Sequence, residues 1–468
     1  MQPTTRIGYL PFYVDYYEGI CPTFGIEKAA VAARCATMLG AHGEVLWDGQ
    51  LLRDVEGARK AGHVLAEKRP DCIVIVPTIA VFGGIVWEAL RHLDVPILVW
   101  NAQLIETVGA GYTMTEIVRN TGQIGVQALA NTLLREGRSF RVVTGFMNSD
   151  RTQSELGRLV RIAGAVGAMR RARLLQAGST FPLMTDIELD EAYLRQHLGA
   201  SITAVSESEL IAAYIEIGTE AVAEHTQRLR SAGLAEDITY DELARSVRLS
   251  EALNCLVAQH GADAGTLNCH GGNCLRNPQI GVTACYALGV QNIQGRPFTC
   301  TGDLPTALAM LLLKKLTGTA MYTEVQVMDE SREAIVIANS GEGEEGMRRA
   351  GASSLVRGNS NFSGLHGRGA SFAYPLQAGP ATLLSLTPSP HGKCPFRLIA
   401  AEGEILDESL PDAGALAGFF RFAHTGLHDG YTRWLEAGAV HHAGTTLGHC
   451  GGDLRDAAEW LGWEFVGI

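Results

Sequence analysis

The sequence is poor in charge. Only 19% of its 468 residues are Asp, Glu, Lys or Arg, and the positive ones are scarcer: 38 Lys and Arg against 50 Asp and Glu, a formal net charge of −12. A field of that sign repels phosphate backbones and anionic lipid, so nucleic acid and membrane surfaces are excluded as expected partners. Cysteine is sparse as well, with ten in the chain, which rules out a disulfide-stapled miniprotein. Those at Cys35, Cys72, Cys255 and Cys285 have mainly apolar neighbours and read as small hydrophobes of a reducing compartment. Long hydrophobic runs are lacking too. The longest, 73–90, is interrupted by Pro77, Thr78, Gly83 and Gly84, and so cannot run as one lipid-spanning helix. Residues 1–10 have neither the basic start nor the continuous apolar core of a secretory signal, which gives the expectation of a cytoplasmic protein.

What is present is a compact globule's composition: 46% hydrophobic residues, and 54 glycines that imply many tight turns. The length suggests about three domains at roughly 150 residues each. Short Val- and Ile-rich runs alternate with helix-length periodic segments through the first half, the pattern of parallel strands joined by crossover helices. Strands are predicted at 6–10, 43–47, 72–76 and 96–100, and helices at 25–40, 54–68, 83–92 and 114–135. A second set begins with a strand at 140–145 and a helix at 149–168, and includes one long helix at 208–230. Beyond the helix that follows Asp303, the chain becomes richer in Gly, Ser and Pro and reads as mostly β. The expected fold class is α/β: two doubly wound α/β domains, 1–138 and 139–320, followed by a mainly β C-terminal domain, 321–468.

Four segments carry residues able to do chemistry. Leu267-Asn268-Cys269-His270-Gly271-Gly272-Asn273-Cys274 reads as a strand end entering a glycine turn, where sites in parallel sheets lie. His270 is there either to satisfy turn backbone or to contact a substrate. Cys269, His270 and Cys274 are zinc-ligand types, but without a second paired cluster. Asp303, within Thr301-Gly302-Asp303-Leu304-Pro305, precedes an apolar helix. It is a natural N-cap, and its carboxylate also suits a hard divalent cation in a cleft. Asn339-Ser340-Gly341-Glu342 ends a β-branched strand, where Asn339 and Gly341 suffice for a turn and Ser340 or Glu342 can face a cleft. The tail pair His441-His442 opens a Gly- and Thr-rich run ending at Asp453. On extended backbone the two rings point to different sides, so one at most reaches a given metal.

Together these segments resemble the L-fucose isomerase and L-arabinose isomerase superfamily of metal-dependent aldose–ketose isomerases. The resemblance covers most of the chain in domain order and is most specific at 441–453, at Gly302-Asp303-Leu304 and at Asn339-Ser340-Gly341. It implies that His442 and Asp303 hold Mn²⁺ or another divalent cation, and that Asn339, Ser340, His441, Glu342 and His270 line the sugar site. It places Gln279 where the family supplies a catalytic, metal-binding glutamate, and Thr301 where many relatives carry another. On this reading Gln279 completes the metal shell or orients a hydroxyl, and Asp303 or a metal-bound hydroxide is the base, with Glu342 in reserve. The implied reaction is aldose–ketose isomerisation of a sugar or modified sugar through a metal-stabilised enediolate. The alternatives are a related epimerase, dehydratase or lyase, or a sugar-binding protein without turnover. A homo-trimer or homo-hexamer is the implied assembly.

Overall fold

The structure is a computed structural model, and it describes residues 4–270, 274–359, 369–408, 410 and 416–468. The chain forms two compact units, 1–168 and 169–468. No described helix is long and apolar enough to cross a membrane, and none of the ten cysteines is in a disulfide.

The first unit is built on five parallel strands: β1 (Arg6–Phe12), β2 (Glu44–Leu46), β3 (Cys72–Pro77), β4 (Ile97–Gln103) and β5 (Phe140–Phe146). They lie in the order β2-β1-β3-β4-β5. β3 is buried at every position, as expected where crossover helices cover both faces of a parallel sheet. Ile73, Ile75, Val99 and Leu129 are at its core. The segment predicted as one helix over 114–135 is two, Met114–Arg119 and Gly122–Arg135. The break falls at Asn120 and Thr121, and the Thr121 side chain accepts from the Ala80 amide.

Among the described residues, the second unit contains three sheets. β6 (Arg173–Ala177), β7 (Ser201–Val205), β9 (Ala264–Leu267) and β10 (Phe298–Cys300) form a parallel sheet in the order β10-β9-β6-β7, while β8 (Ala235–Glu236) lies elsewhere. The helix predicted at 208–230 is interrupted at Ile217 and Gly218, giving Glu207–Glu216 and Thr219–Ser231.

The C-terminal strands are β11 (Met321–Asp329), β12 (Ala334–Asn339), β13 (Leu355–Gly358), β14 (Ala370–Ala373), β15 (Gly379–Pro388), β16 (Phe396–Ile405), β17 (Leu416–Phe422), β18 (His442–Leu447) and β19 (Glu464–Gly467). β15-β18-β11-β12-β17-β16 run antiparallel, and β15 pairs with β16 along its whole length, so the sheet closes on itself like a barrel. β19 adds to β16 in parallel, and β13 pairs with β14 and β8 in a small third sheet. Met321, Ile335, Leu383 and Phe420 belong to the buried core of this region. The parallel sheet and the barrel-like sheet thus share one compact unit.

One helix relates these two sheets. Leu304–Thr317 is buried at twelve of its fourteen positions and packs against β9, β15 and β18. β18 approaches it so closely that a Cβ at Gly444 would sit 3.0 Å from Leu313 and 3.1 Å from Met310. The start of this helix and the start of β18 are thereby brought to one place.

Candidate active site

Asp303 caps that helix: its Oδ1 accepts from the Thr306 amide at 2.9 Å, and Pro305 occupies the first turn. The approach from β10 is forced. Thr301 has φ +59° and Gly302 φ +86°, and a Cβ on Gly302 would lie 2.4 Å from the backbone of Thr180. A β-branched residue in the left-handed region is a strained outlier, of the kind that collects at functional sites. Thr266 secures the turn, accepting from the Gly302 amide at 3.2 Å and donating to the Thr299 carbonyl.

The second Asp303 oxygen, Oδ2, lies 2.7 Å from Nδ1 of His442, and both side chains are almost wholly buried. His442 begins β18 directly opposite Glu324 on β11, and its Nε2 is 3.4 Å from Glu324 Oε1. A bulge at 325–327 follows Glu324 in the β11–β12 pairing. The imidazole is therefore held between two carboxylates. Burial alone favours the neutral ring, but the hydrogen bonds and charges of Asp303 and Glu324 outweigh it and hold His442 up at about 9. The bond from His442 in turn holds the Glu324 carboxyl below its ordinary range. The Tyr322 ring packs 4.7 Å from the His442 ring.

Tyr322 and Glu324 also line a cavity of about 50 Å³, together with Cys269, His270, Cys285, Cys300, Thr301, Ser340 and Glu342. Glu342 is 2% exposed, and among the described residues neither its Oε2 nor the buried Thr301 Oγ1 has a hydrogen-bond partner. Burial pushes the Glu342 carboxyl above its ordinary value, against a smaller opposing pull from its own backbone and the Cys285 thiol. A buried carboxyl beside a cavity, with one oxygen unused, has the chemistry that proton transfer requires.

The predicted site residues divide accordingly. Asp303 and His442 meet, and His270, Ser340 and Glu342 line the cavity next to them. Asn339 does not line it. Its amide donates to the Tyr322 carbonyl and its Oδ1 accepts from the Gly341 amide, so it builds the turn that presents Ser340 and Glu342. His441 precedes β18 and pairs with Asp186, Nδ1 to Oδ2 at 2.5 Å, and its ring lies against that of His442 with centroids 3.7 Å apart, so the two rings do not take the opposite sides that extended backbone predicts. Gln279 is not brought to the cluster. It is exposed in a turn where its amide donates to Asn277 Oδ1, and it is absent from the cavity lining. Asp303 is the wrong place for a free base, since both its oxygens are engaged. Sequence reasoning missed Glu324, which only the pairing of β11 with β18 reveals, and Cys300, which stands opposite Leu267 on the neighbouring parallel strand.

The pair fits a divalent cation. Neighbouring ligands of an octahedral ion bound at about 2.1 Å stand roughly 3 Å apart, close to the Asp303–His442 separation, and imidazole with carboxylate is a donor set suited to Mn²⁺.

No family model matches the chain. It is 22% identical over 346 residues to a sulfoquinovose isomerase of Alkalicoccus urumqiensis, an alignment covering 72% of this chain and 73% of that protein.

Proposed function

We propose that the protein is an aldose–ketose isomerase acting on a sugar, with sulfoquinovose the first substrate to test. It is an enzyme on the strength of its likeness, over most of its length, to a protein named as an isomerase. The observation that carries the chemical reading is the meeting of Asp303 and His442 at 2.7 Å beside a cavity holding Glu342, a buried carboxyl with an unpartnered oxygen.

In the proposed reaction only the reacting end of the open-chain aldose, C1 and C2, reaches into the cavity at Glu342. The Glu342 carboxylate takes the proton from C2; the C–H pair becomes the C1=C2 bond, and the carbonyl pair moves to O1. Glu342 then returns its proton to C1 while the O2–H proton passes to O1, leaving a hydroxyl at C1 and a ketone at C2. Burial suits it to both roles, because a carboxyl with a raised pKa is a stronger base when ionised and still gives up its proton. Thr301 and Ser340 line the cavity, and in this reading their hydroxyls orient those of the sugar. Asp303 and His442 would hold a divalent cation such as Mn²⁺, which when bound supplies Lewis-acid stabilisation of the enediolate oxygens. Asp303 is thus an orienting and ligating residue, and the base is Glu342.

The direct test is conversion of sulfoquinovose and a panel of aldoses with Mn²⁺ present and after treatment with EDTA. Formation of a ketose that EDTA suppresses is expected; inactivity on every aldose with Mn²⁺ supplied overturns the reading. The assembly is proposed to be a homo-trimer or homo-hexamer, and sedimentation as a monomer contradicts that part.

A further inference from the structure

We propose that Cys269, His270 and Cys300 form a second metal site, for one borderline-soft divalent ion of the zinc class, with its open coordination position facing the cavity. Among the described residues, these three place one ligand atom each within 4.8 Å of one another. The two Sγ atoms are 3.4 Å apart. Two thiolates on a tetrahedral zinc ion, each at about 2.3 Å, stand roughly 3.8 Å apart, so the thiols need to part by only a few tenths of an ångström.

Their placement follows from the sheet. β9 and β10 are parallel neighbours with Leu267 opposite Cys300, so Cys300 closes one strand and Cys269 lies two residues beyond the end of the other. His270 follows at once and hydrogen-bonds the Cys300 thiol. All three line the cavity that also contains Thr301, Ser340 and Glu342. Three protein ligands with a fourth position open to a cavity is the arrangement of a reactive zinc site, whereas a structural one is closed by four. Charge balance suits the burial: as the ion binds, each thiol releases one proton to solvent, and a divalent cation with two thiolates and a neutral imidazole is a neutral unit. This donor set differs in kind from Asp303 and His442. Thiolates select soft ions, whereas a carboxylate and an imidazole also suit manganese.

The test uses the full-length protein, stripped of metal under reducing conditions and titrated with Co²⁺. The expected result is thiolate-to-cobalt charge-transfer absorption in the near ultraviolet with intense tetrahedral bands in the red, saturating at one ion per chain, and displaced by Zn²⁺. Asp303→Asn, which disables the oxygen–nitrogen pair, should retain these bands. Cys269→Ser and Cys300→Ser should each lose them and bind Zn²⁺ more than about 100-fold more weakly, a larger loss than removing a supporting contact gives. If either serine variant fails to fold, mass-spectrometric mapping of thiol alkylation in the native wild type decides: Zn²⁺ should protect Cys269 and Cys300 together. Only weak octahedral cobalt bands, absence of protection, or a Cys269–Cys300 disulfide in place of metal uptake would each overturn the site. The readout is spectroscopic and does not depend on sugar turnover, so its failure leaves the isomerase reading standing, and the reverse holds as well.

Discussion

Nδ1 of His442 lies 2.7 Å from Oδ2 of Asp303, although 139 residues separate them in sequence. The same aspartate caps a helix through its other oxygen. The two duties can be separated. Asp303→Asn keeps a capping oxygen but removes the charge facing His442, so kcat should fall about 10²-fold or more, and any loss of stability comes from the buried pair and not from the cap, since Asn caps as well as Asp. Asp303→Ala should lose about 1 kcal/mol of stability in addition. Steady-state kinetics beside thermal melts separate the effects; an active Asp303→Asn enzyme reduces the residue to a cap.

Glu342→Gln removes the proposed base without changing its shape. The expected loss in kcat is about 10²- to 10⁴-fold, with KM little altered. The pH dependence has a definite sign. A base works when ionised, and burial holds this carboxyl above its ordinary value. Wild-type activity should therefore fall on the acid side through an apparent pKa higher than that of an exposed glutamate. A rate that stays flat down to the ordinary carboxylate range contradicts the assignment.

Lys314 and Glu344 form an ion pair with side chains only 8% and 4% exposed. Lys314→Met leaves the Glu344 charge buried without its cation, and should cost about 3–5 kcal/mol, read by denaturant unfolding. A double change to apolar residues should recover most of that, because it removes the stranded charge together with its partner.

Lys28 offers a stability test remote from the site. Burial pushes its amine down to about 8, so between about pH 8 and 10.5 the unfolded chain binds more protons than the folded one. Stability conferred through this group therefore rises with pH across that window; below it the penalty of burying the ammonium is present in full. Lys28→Met should flatten the wild-type slope by up to about 1.4 kcal/mol per pH unit. Identical slopes in the two proteins would show that the amine is not desolvated.

Much of the fold was legible because parallel strands buried on both faces are continuous apolar runs, as at β3, and because Asp303 before Leu304-Pro305 is a helix start on local chemistry alone. The two broken helices were not legible. Thr121 and Gly218 interrupt them within an unbroken apolar rhythm, and that rhythm carries no mark of the break. At the site, Asp303, His270, Ser340 and Glu342 could be named from local motifs, and the resemblance chose His442 from its pair. Glu324 could not, because its importance comes from standing opposite His442 across two strands that lie over a hundred residues apart. The resemblance aligns Gln279 with a family glutamate, and alignment carries no information about which way a turn presents a side chain. The second metal site has the same character: Cys300 stands 31 residues beyond Cys269, outside any short ligand spacing.

The most direct measurement is NMR of sulfoquinovose incubated with the Mn²⁺-supplemented protein in D₂O, run beside Glu342→Gln. Appearance of the ketose with deuterium entering at the carbon that receives the proton, and loss of both in the variant, is the expected result. Fragmentation of the sugar, an epimer in place of a ketose, or substrate recovered unlabelled from the wild-type enzyme would contradict an isomerisation carried by Glu342.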